Sequence, residues 1–437
     1  MWSIFIFIVI TFFAARLALK NYKRIFDNIR LGQSEPPLRN KSQRIRNVVL
    51  IALGQKKMFK LWKPALLHIF IYVAFLLTQI ELIEIVLDGI FHQHRIFAYS
   101  LGGFYTFLIS FIEMLSFLAL VATIIFLWRR NVLKLKRFQN PEMKSWPTRD
   151  ANYILIGELV LVLAIFLMNG SEQVLLQKDI TFQSHAGKFA ISSWAGPLFL
   201  DHYSIGTLKF LERAGWWMHY LVVLGFLNYL PYSKHLHILF AFPNTYFAKL
   251  QPRGEMENIP VIMNEVKSML GLDSGPSKEA TTTDVPEFGA KDIFDLPRRT
   301  LLGAYSCTEC GRCTAVCPAN ITGKKLSPRK IMMDIRDRME EVGLNLSTGK
   351  YNKDNYDDGK SLFDYITPEE LHSCTTCNAC VEACPVLINP LEPILELRRN
   401  EILSQSKGPQ NWLSMFNSLE NNGCVWPMSE SRTSWTS

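Results

Sequence analysis

Eight of the nine cysteines fall in two runs of one spacing, Cys307-x2-Cys310-x2-Cys313-x3-Cys317-Pro318 and Cys374-x2-Cys377-x2-Cys380-x3-Cys384-Pro385. Three thiolates at two-residue intervals wrap a loop round one corner of an iron–sulfur cube. The fourth cysteine, followed by proline, points away and completes the other cube. The spacing therefore assigns Cys307, Cys310, Cys313 and Cys384 to one [4Fe–4S] cluster, and Cys374, Cys377, Cys380 and Cys317 to a second. Zinc sites also use C-x2-C pairs, but two separated pairs complete one tetrahedral ion, which leaves the third close cysteine and the C-x3-C-P ending without a purpose. Backbone N–H groups of Gly311, Arg312 and Asn378 are expected to donate to cluster sulfurs and tune their potential. Cysteines this tightly grouped argue for metal in a reducing compartment rather than for disulfides. Cys424 lies outside both runs and reads as a free thiol.

Histidine within apolar sequence is the second chemical signal. Five runs, 1–19, 64–88, 104–128, 152–169 and 215–241, are long enough to span about 30 Å of hydrocarbon at about 1.5 Å per residue. The first has neither a basic start nor a small-residue cleavage site and reads as a retained helix rather than a signal peptide. Segments 20–63 and 129–150 carry twelve and seven Lys/Arg, whereas 91–103 and 171–213 carry one and four. The basic loops belong inside, so the N-terminus lies outside and five crossings deliver the cysteine-bearing half to the cytoplasm. The basic residues thus follow topology, and the net charge of +8 does not mark a nucleic-acid surface.

His68 stands near the inner end of the second run, and the fifth contains His219, His235 and His237. Read as one helix, the fifth run puts His219 and His237 on one face about 27 Å apart, with His235 turned roughly 160° away. Because the second and fifth runs are antiparallel, His68 and His237 share a depth and form the pair expected to hold a haem b iron from both sides. His219, near the outer surface, reads as a candidate for a second haem or a quinone. Its partner is not apparent: Val86 stands at the matching depth, and His92 and His94 lie just past the helix end. Glu81, Glu84, Glu113 and Glu158 also fall in or at the ends of apolar runs. Glu81 and Glu84 are expected at the watery outer interface, whereas Glu113 lies deeper and is a candidate for proton handling.

At these residues the membrane half resembles the haem-b gamma subunit of respiratory nitrate reductase and the related membrane subunit of heterodisulfide reductase. The resemblance rests on His68, on His219, and on the run Pro231-Tyr232-Ser233-Lys234 before His237. It implies five helices with haem ligands on the second and fifth. The chain departs from the pattern at Thr78, where that family has its outer second-helix ligand.

Residues 251–300 hold Pro, Gly, Ser, Thr and acids, with a GPSKEATTTDVPEFG tether and a short amphipathic helix near 260–270. Beyond them, helices are expected over 328–342 with Ser327 as cap, from Thr367 where Thr-Pro-Glu-Glu signals a start, and over 391–403. This helical insert resembles the α-helical ferredoxin domain of the heterodisulfide reductase small subunit, and is also similar to cluster domains of fumarate reductase and anaerobic glycerol-3-phosphate dehydrogenase. The expected class is all-α: a five-helix transmembrane haem b bundle over 1–250, a linker over 251–300, an α-helical ferredoxin domain over 301–405 and a partner-docking tail over 406–437. Trp412, Met415, Phe416 and Trp426 supply that tail's aromatic and apolar side chains.

The combined order resembles fused membrane subunits that link an electron-transferring flavoprotein, or a cysteine-rich heterodisulfide-reductase-like catalytic module, to the quinone pool. That implies a multi-pass protein of the bacterial plasma membrane. No nucleophile–base pair, phosphate loop or flavin fingerprint is visible, so catalysis is expected from a separate subunit, with no catalytic residue here. The expected route runs from a cytoplasmic donor through the clusters and haem to quinone. The alternatives are quinol oxidation feeding a cytoplasmic reductase, and a membrane-bound redox sensor, which depth-matched histidines disfavour.

Overall fold

The computed structural model describes residues 2–36, 38–182, 186–272, 287–426 and 433–436. Of the described residues 72% are helical, and among them β pairing is confined to one isolated bridge between Gln33 and Pro297. It divides into two compact units. The first comprises Met1–Asp27, Asn40–Tyr246 and Tyr305–Gly311, and the second Asn28–Arg39, Phe247–Ala304 and Arg312–Ser437.

The first unit holds α1 (Trp2–Ile29), α2 (Lys41–Asn47), α3 (Trp62–Phe91), α4 (Ile96–Leu101), α5 (Gly103–Asn131), α6 (Trp146–Lys178), α7 (Ser192–Leu200), α8 (Ile205–Tyr229) and α9 (His237–Phe247). Among the described residues, four stretches are long and apolar enough to cross a membrane: Trp2–Ile29, Lys41–Phe91, Gly103–Asn131 and Trp146–Lys178. The helices are held close by small residues, as membrane packing favours. A Cβ added at Gly215 of α8 would lie 2.8 Å from the Ala164 carbonyl of α6, and one added at Gly196 of α7 would lie 2.5 Å from the Gly170 carbonyl. Phe7 of α1 stacks on Tyr220 of α8 at 4.6 Å, and Thr11 reaches the Tyr220 hydroxyl at 2.6 Å.

The expected fifth helix over 215–241 is not continuous. Pro231 lacks an N–H and its ring obstructs the preceding turn, so a helix cannot run through it undisturbed. Helix α8 stops at Tyr229, and two 3-10 turns follow, Leu230–Tyr232 and Lys234–Leu236, before α9 starts at His237. Asp150 clamps this break: one carboxylate oxygen accepts the Tyr229 hydroxyl at 2.5 Å, the other the Lys234 amide at 3.1 Å. The common face expected for His219 and His237 therefore does not exist, because their separation is no longer a whole number of turns of one helix.

The second unit holds α10 (Pro260–Met269), α11 (Arg298–Ser306, whose end lies in the first unit), α12 (Arg312–Ala315), α13 (Pro318–Ile321), α14 (Pro328–Ser347), α15 (Pro368–His372), α16 (Ala379–Ala383), α17 (Leu391–Arg399) and α18 (Gln410–Asn422). The amphipathic helix expected near 260–270 is α10, and its Val261, Val266 and Met269 are exposed. Residues 273–286, most of the expected tether, lie outside the described residues. Ser327 caps α14 through the Lys330 amide, and Thr367 and Glu370 close a capping box on α15, both as expected. The helix expected over 391–403 is α17 continued by a π-turn over Asn400–Ser404. In the tail, Trp412 packs edge-on against His372 of α15 at 5.0 Å and Phe416 lies beside it, whereas Trp426 is exposed.

Residues 28–39 join this unit although the sequence places them in the membrane half. The Gln33 amide donates to Leu296 O at 2.9 Å, and Arg298 N donates to Gln33 O at 3.1 Å. Glu392 is the electrostatic centre of the same region. It is buried and takes Arg299 Nη2 at 2.5 Å, Thr300 Oγ1 at 2.7 Å and Lys249 Nζ at 3.0 Å, while Arg299 also meets Glu35 at 2.6 Å. Burial opposes ionisation of Glu392, but the Arg299 bonds and the Lys249 charge overcome it and hold the carboxyl below its usual range. A depressed carboxylate stabilises the fold above its unfolded pKa and loses that contribution as pH falls through the folded value. We expect Glu392→Gln to cost about 3 kcal/mol at neutral pH and to flatten the acid limb below about pH 4, as read by denaturant unfolding across pH.

Candidate functional site

Both cysteine runs fold by the same local rule. The third and fifth positions of each are left-handed: Glu309 and Gly311 at φ 53° and 72°, Thr376 and Asn378 at φ 54° and 60°. Such residues reverse the backbone within one step, which turns successive thiols and N–H groups to the inside of a tight loop. Short helices α12 and α16 follow the loops and pack on one another. The fourth cysteines are both extended, Cys317 at φ −74°, ψ 118° and Cys384 at φ −69°, ψ 123°, which carries them away from their own loops.

In the second unit this geometry makes a pocket. Cys317 lines it together with Cys374, Cys377 and Cys380, against apolar walls from Pro318, Leu326, Leu391 and Ile394. Three thiols of one run and the fourth cysteine of the other thus line one pocket. Thr376 N donates to Cys374 Sγ at 3.4 Å, and Ile388 N to Cys384 Sγ at 3.2 Å. Neither Thr376 nor Ile388 is among the amides singled out from the sequence. Arg398, which the sequence did not single out, spans the Leu371 carbonyl at 2.8 Å and the Cys374 carbonyl at 2.6 Å, bringing positive charge beside the pocket.

Burial pushes the Cys374 thiol up and the Cys380 thiol up to about 12, so both need a metal to become thiolates at neutral pH. Among the described residues no three His, Cys or carboxylate groups converge closely enough to share a single ion. A ring of four thiols round a walled space instead fits a cube, which spreads its ligands further apart. Of the other set, Cys307 and Cys310 fall in the first unit, and Cys313 and Cys384 in the second.

The first unit gathers histidines. His237 opens α9, its ring 5.7 Å from that of His235, and His235 is also within electrostatic reach of His68 on α3. The sequence turned His235 away from this group; the helix break brings it in. His237 Nδ1 lies 3.1 Å from the Lys234 carbonyl, and His219 Nδ1 lies 3.2 Å from the Leu161 carbonyl. Donating Nδ1–H to a backbone carbonyl leaves Nε2 with its lone pair, the state in which imidazole binds iron. The residues fit an axial ligand at His237, with His68 in the same group. Lys234 is buried, donates to Pro147 O at 2.6 Å and forms an ion pair with buried Glu309 of the first cysteine loop. Only the basic residue of that pair was visible in the sequence.

The acids are not where the sequence put them. Glu81 and Glu84 are each only 3% exposed, not bathed at an interface. Glu113 is occupied by Asn169 Nδ2 at 3.0 Å, the Ile191 and Ser192 amides at 2.9 and 3.1 Å, and the Ser192 hydroxyl, which makes it a tie between α5, α6 and the start of α7.

The profile of the 4Fe-4S dicluster domain matches residues 306–388. The chain is 27% identical, over 98% of its length and 60% of the relative's, to the probable iron-sulfur-binding oxidoreductase FadF of Bacillus subtilis. It is 25% identical, over 88% of its length and 52% of the relative's, to the EtfAB:quinone oxidoreductase of Syntrophomonas wolfei. Residues making up 25% of the chain are 33% identical to 53% of one subunit of the ferredoxin/F(420)H(2)-dependent CoB-CoM heterodisulfide reductase of Methanosarcina acetivorans. The chain therefore spans just over half the length of the first two relatives. No solved structure matches. With the thiol geometry, these findings support an iron–sulfur role for the chain, and its four apolar helices suggest association with a membrane.

Proposed function

We propose that the chain passes electrons from a cytoplasmic donor, through two [4Fe–4S] clusters and haem b, to quinone in the bacterial plasma membrane. The observation that carries the membrane half of this reading is the gathering of His68, His235 and His237 where α3 meets the broken end of α8. His68 and His237 would hold the haem iron in this scheme, and His219 would serve a second haem or the quinone. Cys307, Cys310, Cys313 and Cys384 hold one cluster, and Cys374, Cys377, Cys380 and Cys317 the other. Bound clusters and haem supply one-electron steps. The protein's part is to hold the thiols in a walled pocket, to fix imidazole tautomers through backbone carbonyls, and to keep both within helical scaffolds.

The donor in this reading is an electron-transferring flavoprotein or a cysteine-rich heterodisulfide-type catalytic subunit. The likeness to an EtfAB:quinone oxidoreductase supports the first. Basic loops at 20–63 and 129–150 support a cytoplasmic cluster half and an outer N-terminus.

The test is a dithionite-minus-oxidised visible spectrum of the purified chain, with haem and non-haem iron counted. Wild type should show a b-type spectrum and roughly eight non-haem irons, as two cubes require. His68→Ala should abolish the spectrum of the inner haem while leaving the iron count unchanged. A further partial loss in His219→Ala marks a second haem. A wild-type protein with full iron and no haem sinks the haem route.

A further inference from the structure

Six buried carboxylates surround one arginine in the first unit. Glu81, Glu84 and Asp88 come from α3, Glu113 from α5, Glu172 from α6 and Glu212 from α8. Arg95, itself 5% exposed, is the buried cation among them. Arg95 Nη2 meets Glu172 at 2.7 Å and Asn169 at 2.6 Å, and its Nη1 reaches the Tyr105 hydroxyl at 3.2 Å.

Five of the six acids have cationic or hydrogen-bonding company. Glu84 takes the Tyr105 hydroxyl at 2.5 Å and the Phe97 amide at 3.0 Å. Asp88 takes the Arg95 and Ile96 amides at 2.9 and 3.0 Å. Glu113 has the donors described above, Glu172 has Arg95 and His94, and Glu212 has Arg213 at 3.6 Å. Glu81 differs: both its oxygens are buried with no donor among the described residues. Its electrostatic neighbours are Arg95, Glu113 and Glu84, two of them acids. An anion so placed has neither water nor a hydrogen bond to replace it. An intramembrane carboxyl kept there, against that penalty, is a place where a proton rests.

A way out exists. From Arg95 and Glu172 the contacts continue to His94, whose Nε2 is 3.1 Å from Glu172 and whose Nδ1 is 3.8 Å from Glu212. The His94 side chain is 24% exposed, and Arg213 beyond Glu212 is 52% exposed. An imidazole between two carboxylates can accept a proton on one nitrogen and release one from the other.

We propose that Glu81 is a proton-exchange site beside the network of Arg95, Glu172, His94 and Glu212 that reaches solvent, and that it serves the quinone reaction. This rests on the quinone reading above. Reducing a quinone to quinol takes two electrons, from the proposed clusters and haem, and two protons. In each proton step the Glu81 O–H bond breaks and a quinone O–H bond forms. The carboxylate is then reprotonated from the His94 side, and His94 is refilled from water. Quinol oxidation runs the same steps backwards.

Dicyclohexylcarbodiimide tests the site without relying on turnover, because it dissolves in membranes, adds to a protonated carboxyl and remains as an N-acylurea. On the full chain in lipid nanodiscs, peptide mass spectrometry should find the adduct on Glu81, declining as pH rises, and not on donor-filled Glu84 or Glu113. An unlabelled Glu81 in protein labelled at other acids overturns the site. Glu81→Gln should slow quinone-linked turnover on the order of a hundredfold, with the dithionite-reduced spectrum unchanged, and Glu81→Asp should restore part of it. Wild-type turnover in Glu81→Gln overturns the link to quinone. If wild type itself reduces no quinone, the functional reading fails, while the labelling still decides whether Glu81 carries the proton.

Discussion

Cys317→Ala is expected to erase the cluster of the second cysteine run, not that of the run in which Cys317 stands. Its side chain lines the pocket of Cys374, Cys377 and Cys380, and its extended backbone turns it away from its own loop. Removing it leaves a cube with three protein ligands in a pocket walled by Leu326, Leu391 and Ile394, which offer iron no substitute donor. Non-haem iron should fall from roughly eight atoms to roughly four. The low-temperature electron paramagnetic resonance spectrum of the reduced protein should then lose the signal that Cys377→Ala loses. Cys310→Ala should lose the other. A Cys317→Ala spectrum that tracks Cys310→Ala instead would mean that each run holds its own cluster.

The second large effect is expected far from any cofactor. Arg338 of α14 is fully buried, and its guanidinium is shared by two carboxylates and a backbone oxygen. Its Nη2 donates to Asp292 at 2.6 Å, to Asp358 at 2.9 Å and to Lys360 O at 2.9 Å, and its Nη1 donates to Asp358 at 2.7 Å. Asp358 is held well below the usual carboxylate range by Arg338, whereas burial pushes Asp292 up despite the same partner. Arg338→Ala takes away the cation that both acids share and leaves them only neutral donors, Tyr356, Asn345 and the Lys360 amide for Asp358 and the Ile293 amide for Asp292. We expect it to cost about 3–5 kcal/mol, the usual result of removing one side of a buried pair. Arg338→Lys should recover only part of this, because an ammonium cannot fork to two carboxylates and a carbonyl at once. Iron release on heating, followed by cluster absorbance, reads the loss directly. Equal thermal profiles for wild type and Arg338→Ala would show that the two acids find other partners.

What the sequence made legible was local. Ser327 before α14 and the Thr367 capping box on α15 act within one turn of themselves, so their residue types suffice to place them. The cysteine runs are legible for the same reason, since their spacing is a local pattern. The break at Tyr229 also had a local sign in Pro231, but the apolar residues on both sides concealed it within a long hydrophobic run. Burial of Glu81 and Glu84 could not be read from α3 alone, since it depends on Arg95, Tyr105 and Glu113 arriving from other elements. Recruitment of residues 28–39 into the second unit likewise hangs on pairing with residues some 260 positions away, as in the Arg298 Nε bond to Gly32 O.

The clamped turn after α8 has a mechanical consequence. An uninterrupted helix behaves as a screw, and one residue added anywhere between His219 and His237 would swing the second ring by about 100° and advance it by about 1.5 Å. Here the thread is cut. Asp150 grips Tyr229 before the cut and Lys234 after it, so the aim of His237 is referred to α6 rather than to the pitch of α8. Changes in the upstream length of α8 alter where His219 sits without re-aiming the ring that opens α9. The two histidines are therefore free to diverge separately, and a chain of this design can change the residue at 219 while the ring at 237 keeps its aim.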